Sequence, residues 1–126
     1  MSDMRKILVV DDEPDVVRYL TVLLENNGFT AIGAADGQEG FDSASAEKPD
    51  LIILDISMPK ESGIKMYRRL HDSKELSGIP VVMLTGVSRE FERFISSRTL
   101  VKPPAAYFEK PVDDKELLAK IAELTA

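Results

Sequence analysis

Two hydrophobic patterns alternate along the chain. Short apolar runs, typical of strands, occur at residues 6–10, 30–34, 51–54, 79–84 and 105–109. Between them apolar residues recur every three or four positions, as at Val16, Leu20 and Leu24, which predicts amphipathic helices. The unbroken run at 51–54 is typical of a strand buried on both faces. Five strands alternating with five helices predict a doubly wound α/β fold of flavodoxin type, with a parallel sheet of order 2-1-3-4-5.

Helix-starting and capping residues mark the predicted helices. They are Pro14, Asp36, Ser88 and Asp113. The second helix, about ten residues long, has few large apolar side chains apart from Phe41, so we expect it to pack lightly. The third helix is expected to run to about Glu75. The fourth carries Phe91, Phe94 and Ile95 on one face.

Composition narrows the class of protein. The 126 residues, 44% hydrophobic and 30% charged, predict one soluble globular domain over residues 1–126, without an output domain. There are no cysteines, which excludes disulfides and a thiolate zinc site. A net charge of −6 argues against direct binding to nucleic acid or to an anionic membrane. Because the sequence shows neither a signal-peptide pattern nor a long apolar run, we expect a cytoplasmic protein. We also expect it to be a monomer or a weak dimer.

Polar side chains follow four of the five predicted strands. Asp11 and Asp12 follow the first strand, Asp55 the third, Thr85 the fourth and Lys110 the fifth. Because the carboxyl ends of parallel strands meet at one edge of a sheet, these groups are expected to converge. The sequence therefore predicts an acidic pocket with a hydroxyl and an ammonium on its rim.

The chemistry of such a pocket is restricted. Clustered carboxylates raise one another's pKa unless a cation compensates them. Oxygen ligands suit Mg²⁺ (or Mn²⁺), and a carboxylate left partly free beside it can attack phosphorus. Thr85 and Lys110 would then stabilise the transferring oxygens. The pattern predicts a phosphoryl-accepting site.

These residues, at these strand ends and in this order, resemble the receiver domain of two-component response regulators (the CheY-like superfamily). The resemblance covers nearly the whole chain. It implies that Asp55 accepts a phosphoryl group from a phosphohistidine on a sensor histidine kinase or a phosphotransfer protein. It also implies a signalling domain that is not an enzyme, although it assists its own phosphorylation and autodephosphorylation.

The resemblance also implies how a metal is bound. Asp12 and Asp55 would bind Mg²⁺ directly, together with the backbone carbonyl of Ser57, and Asp11 would act through a metal-bound water. No other cofactor is expected.

The remaining implied roles concern the response to phosphorylation. Thr85 and Lys110 would contact the phosphoryl group, and Tyr107 matches the family's switch aromatic, which turns inward as the threonine moves. The Lys110–Pro111 peptide is expected to be cis. Phosphorylation would then switch an output face that controls a downstream protein target, or an output domain if the chain is part of a longer regulator.

One segment departs from the family pattern. The run from Lys102 to Ala106 replaces the usual small and acidic residues before the fifth strand, and Lys102–Pro103 repeats the Lys-Pro signature. We prefer Lys110 because Tyr107 and Phe108 precede it as a strand. The shape of the output face and its partner stay open.

Other classes share parts of this pattern. A haloacid-dehalogenase-like phosphatase needs Asp-x-Asp after its first strand, and a flavodoxin needs a Ser/Thr/Gly-rich phosphate loop there. The chain has an acidic run at that place instead. The strongest alternative is a phosphorylation-independent receiver-like docking module. His71 is interpreted as a solvated residue, and Met58 and Met66 as packing residues.

Overall fold

A computed structural model of the chain describes residues 4–86 and 103–126. The strands are β1 Lys6–Val10, β2 Thr30–Ala34, β3 Leu51–Asp55, β4 Val81–Thr85 and β5 Ala106–Glu109. The helices in the described part are α1 Pro14–Glu25, α2 Gly37–Glu47, α3 Ser62–Asp72 and α4 Asp114–Leu124. A short 3-10 turn, Pro59–Glu61, precedes α3. The helix predicted from Ser88 lies outside the described residues.

The five strands form one parallel sheet in the order β2-β1-β3-β4-β5, which confirms the predicted fold class. Val10 pairs with Leu54 across β1 and β3, and Thr85 pairs with Glu109 across β4 and β5. The carboxyl ends of these four strands are therefore nearly level. The polar residues that follow them come to one edge.

The core lies on both faces of the sheet. Every residue of β3 and of β4 is buried. Leu8, Ile52 and Leu54 face one apolar cluster with α2 and α3, whereas Ile7 and Ile53 face the other with α1 and α4. Alternate residues of a strand point to opposite faces, so a continuous apolar run is what a sheet covered on both sides requires.

Helix α2 corrects one expectation, because it packs closely against the sheet. Its buried residues are small: Gly37, Gly40 and Ala44. A Cβ atom on Gly40 would lie 2.7 Å from Met66 Sδ and 2.9 Å from Val10 Cγ2, so the glycine allows the helix to approach. The prediction of light packing was wrong because it counted only large apolar side chains.

The predicted caps are largely confirmed. Asp36 and Asp113 accept hydrogen bonds from the N–H groups of Glu39 and Glu116, at 2.8 and 3.0 Å, and so cap α2 and α4. Helix α3 ends at Asp72, three residues before the predicted end. None of the described helices is long and apolar enough to cross a membrane.

Candidate functional site

Three carboxylates converge at the carboxyl edge of β1 and β3, as predicted. One oxygen each from Asp11, Asp12 and Asp55 lies within 4.8 Å of the others. Asp11 and Asp55 are both only 1% exposed, whereas Asp12 is exposed. The edge therefore holds two buried acids and a third that is open to solvent.

Backbone turns orient the two buried acids. Asp55 Oδ1 accepts a hydrogen bond from the N–H of Ser57 at 2.8 Å, and Asp11 Oδ1 accepts one from the N–H of Glu13 at 2.9 Å. Aspartate forms such turns readily with the backbone two residues further on. A Cβ atom on Gly63 would lie 2.2 Å from the Asp55 carbonyl oxygen, so only glycine fits where α3 begins. Both carboxylates are thus fixed before any ligand binds.

Lys110 reaches into the carboxylate cluster from the end of β5. Its Nζ lies 3.0 Å from Asp11 Oδ2, 3.1 Å from Glu13 Oε1 and 3.2 Å from Asp55 Oδ2. Its backbone N–H donates to the Thr85 carbonyl at 2.8 Å, which ties the loop after β5 to β4. The Lys110–Pro111 peptide is cis, as predicted.

Glu13 also contacts the Lys110 ammonium, and the sequence analysis did not predict this contact. Its position directly after Asp11 and Asp12 was the available signal. The alternative signature at Lys102 falls outside the described residues.

The positive charge of Lys110 only partly compensates the negative charges of the carboxylate cluster. Burial raises the pKa of Asp11, and the nearby negative charge of Asp55 raises it further. The hydrogen bond from the Glu13 N–H and the contact with Lys110 lower this pKa, but the net shift is upward. Burial alone would lower the pKa of Lys110, but its close contacts with Asp11 and Glu13 and the charge of Asp55 together raise that pKa. The ammonium is therefore held charged among acids that outnumber it.

One oxygen of the cluster lacks a hydrogen bond. Among the described residues, Asp11 Oδ2 is the buried side-chain atom without such a partner, since the Lys110 ammonium, although 3.0 Å away, does not meet hydrogen-bond geometry. A buried unsatisfied oxygen beside an excess of carboxylates fits a hard divalent cation with oxygen ligands. The residues present therefore suit Mg²⁺ or Mn²⁺.

The other predicted site residues surround this cluster. Thr85 is buried at the end of β4. Ser57 is exposed, and its Oγ accepts a hydrogen bond from the N–H of Gly86 at 3.0 Å. The metal contact of the Ser57 carbonyl and the phosphoryl contacts of Thr85 and Lys110 stay predictions.

Tyr107 lies on β5 with 44% of its surface exposed. Burial, with a smaller contribution from Tyr107, raises the pKa of Tyr67 on α3 to about 12. The structure shows the outward position of Tyr107, and its inward turn stays a prediction.

Three residues given no chemical role are placed as expected. His71 is exposed on α3, and Met58 and Met66 are buried in the core.

The fold and the site together define a class of protein. The family model for the response regulator receiver domain matches residues 7–122, and the chain belongs to that family. It is 36% identical to the protein PilH of Pseudomonas aeruginosa over 123 residues, which covers 98% of this chain and 99% of PilH. It is 38% identical over 117 residues to the alkaline phosphatase synthesis transcriptional regulatory protein PhoP of Bacillus subtilis, covering 93% of this chain and 47% of PhoP. The chain therefore spans about half the length of some relatives, such as PhoP.

Solved structures agree with this assignment. The chemotaxis protein CheY4 of Vibrio cholerae superimposes with a TM-score of 0.83 at 25% identity, covering 96% of this chain and 98% of CheY4. A CheY-like receiver domain protein from Methanospirillum hungatei gives a TM-score of 0.82 at 30% identity, covering 96% and 93% of the two chains. Family membership sets aside the phosphatase and flavodoxin alternatives.

Proposed function

We propose that this receiver domain accepts a phosphoryl group on Asp55 from a phosphohistidine of a sensor histidine kinase or phosphotransfer protein. The observation that carries the proposal is the position of Asp55. Its buried carboxylate lies at the end of the central strand, beside two further acids and 3.2 Å from the Lys110 ammonium. A fixed nucleophile next to a fixed cation is the arrangement that phosphoryl transfer requires.

The transfer needs one bond to form and one to break. An oxygen of the Asp55 carboxylate attacks phosphorus while the P–N bond to the donor imidazole breaks, and the bonding electron pair stays on the imidazole nitrogen. Lys110, already held among carboxylates, places positive charge where the phosphoryl oxygens would lie. The Thr85 hydroxyl, at the end of the neighbouring strand, is the second group proposed to hold those oxygens.

The carboxylates of Asp12 and Asp55 and the backbone carbonyl of Ser57 are the proposed ligands of Mg²⁺ (or Mn²⁺), with Asp11 acting through a water. The unsatisfied Asp11 Oδ2 and the exposed Asp12 support this assignment. A bound divalent cation neutralises the acids and the incoming phosphoryl oxygens. The Ser57 N–H keeps Asp55 oriented during this chemistry.

Phosphorylation would add negative charge and strong acceptor oxygens to the pocket. Thr85 and Tyr107 would then change position, so that the face carrying β5 binds a downstream protein or an output domain. We further propose that the domain works in the cytoplasm as a monomer or weak dimer, without direct contact with nucleic acid or membrane. It acts as a phosphoacceptor that assists its own phosphorylation and autodephosphorylation.

The test is phosphorylation by acetyl phosphate with and without Mg²⁺, followed by intact mass. We expect a Mg²⁺-dependent, acid-stable and base-labile adduct of one phosphoryl group in the wild type and none in Asp55→Asn. Asp50→Asn is the matched control, because Asp50 is an exposed aspartate next to the other end of the same strand. An adduct that persists in Asp55→Asn would refute Asp55 as the acceptor, whereas the absence of any adduct from the wild type would favour a phosphorylation-independent docking module.

A further inference from the structure

One hydrogen bond joins the loop after β3 to the residue after β4. Ser57 Oγ accepts it from the N–H of Gly86 at 3.0 Å. The N–H of the same serine donates to Asp55 Oδ1 at 2.8 Å. Ser57 therefore contacts both the proposed phosphoacceptor and the residue that directly follows Thr85.

In the part of the chain that the structure describes, the surroundings of Gly86 are open. Thr85 is the last residue of β4, and its carbonyl accepts the Lys110 N–H, which joins the ends of β4 and β5. Gly86 lies beyond the strand, is exposed and has no side chain to pack. A Cβ atom placed on Gly86 would have one described neighbour within 4 Å, apart from the residues next to it in the sequence. That neighbour is Ser57 Oγ, at 3.8 Å. The serine hydroxyl is thus well placed to fix the start of the loop after β4.

We propose that Ser57 is a positioning residue whose hydroxyl holds Gly86, the first residue after β4, in its unphosphorylated position. The inference rests on the proposed function, in which Thr85 moves toward a phosphoryl group on Asp55. A displacement of the Thr85 backbone toward the phosphoryl group would carry Gly86 with it, since one peptide bond joins the two residues. A hydrogen bond of 3.0 Å tolerates a displacement of only a few tenths of an ångström, so the Ser57–Gly86 bond breaks as the loop moves.

The expected effect follows from the size of one neutral hydrogen bond. Removing the acceptor would favour the displaced loop by about 2- to 10-fold in the equilibrium between the two arrangements. If acetyl phosphate reacts faster with the displaced arrangement, Ser57→Ala accelerates adduct formation by up to the same factor. The serine would therefore set how readily the domain responds.

The experiment compares four proteins: wild type, Ser57→Ala, Ser57→Thr and Gly86→Ala. Threonine keeps the hydroxyl, so the residue 86 amide should exchange more slowly in Ser57→Thr than in Ser57→Ala. Gly86→Ala keeps the N–H donor, and its added methyl group has room beside Ser57 Oγ. Two quantities are measured: the initial rate of adduct formation from acetyl phosphate with Mg²⁺, and the exchange rate of the residue 86 amide hydrogen by NMR without any phosphodonor.

Faster exchange and faster adduct formation in Ser57→Ala alone support the proposal. Equal amide exchange in the wild type and Ser57→Ala overturns the proposal. An adduct rate that is unchanged or reduced in Ser57→Ala also overturns it, and a reduced rate would show that the hydroxyl assists transfer. If the wild type forms no adduct, the proposed function fails separately. The exchange rates still decide whether the hydroxyl holds Gly86.

Discussion

The strand that carries Asp55 and the strand that leads to Lys110 are built differently. All five residues of β3 are buried, and β3 pairs with β1 on one side and β4 on the other. Among the described strands, β5 lies at the edge of the sheet and pairs with β4 alone, and its residues are alternately half-buried and exposed. The nucleophile therefore sits on a fully buried central strand, and its lysine follows an edge strand.

This difference matches two requirements of a switch. Phosphoryl transfer needs a carboxylate in a fixed position, because small misplacements slow the reaction strongly. A response needs elements whose rearrangement requires little free energy, and such elements have few buried apolar contacts. The central strand provides the first property and the edge strand, with Tyr107 exposed on it, provides the second.

The largest expected effect is on stability, and it tests the contrast directly. Ile53→Ala removes a fully buried side chain from β3 and should lower the free energy of unfolding by about 2–5 kcal/mol. Tyr107→Ala on β5 should lower it by less than about 1 kcal/mol, because much of that side chain is exposed. Urea denaturation measures both. Equal losses would show that the two strands are equally constrained.

A smaller loss is expected when the cation that joins the two strands is removed. Lys110→Ala leaves Asp11 and Asp55 without their ammonium partner, and we expect a loss of about 1–3 kcal/mol at neutral pH without Mg²⁺. Added Mg²⁺ should stabilise this variant more than the wild type. The exposed Lys115 supplies the control, since Lys115→Ala should change unfolding by less than about 0.5 kcal/mol. A Lys110→Ala protein as stable as the control would refute the assigned role in charge compensation.

The last expected effect appears only at alkaline pH and concerns Tyr67, which is buried on α3. The pKa of Tyr67 is raised to about 12 from an ordinary 10.0, mainly by burial. Folding therefore favours the neutral phenol, and the associated stability is present below pH 10 and is lost as the pH rises through about 12. Tyr67→Phe should remove this alkaline loss, worth about 2–3 kcal/mol. Urea denaturation between pH 8 and 12 checks it, and the same alkaline loss in both proteins would contradict it.

Much of this arrangement was predictable from the sequence. Strand order and the convergence of Asp11, Asp55 and Lys110 follow from alternating apolar periods and from polar residues placed directly after strands. Those signals are local, and the parallel sheet brings them together without further information.

Other features depend on geometry that hydrophobicity does not encode. The close packing of α2 depends on Gly40 facing Val10 and Met66, so the contact is visible only in three dimensions. Glu13 belongs to an acidic run, and only the position of the Lys110 side chain shows that it joins the cluster. The bond between Ser57 and Gly86 joins two loops whose course depends on the whole sheet.

The most direct test of the contrast between the strands is amide hydrogen exchange, measured with and without acetyl phosphate in Mg²⁺. On phosphorylation we predict altered exchange at Gly86 and in β5, and unchanged exchange in β1 and β3. Asp55→Asn treated in the same way should show no change. Altered exchange spread equally over β3 and β5, or no change at all while the phosphoryl adduct is present, would contradict the account.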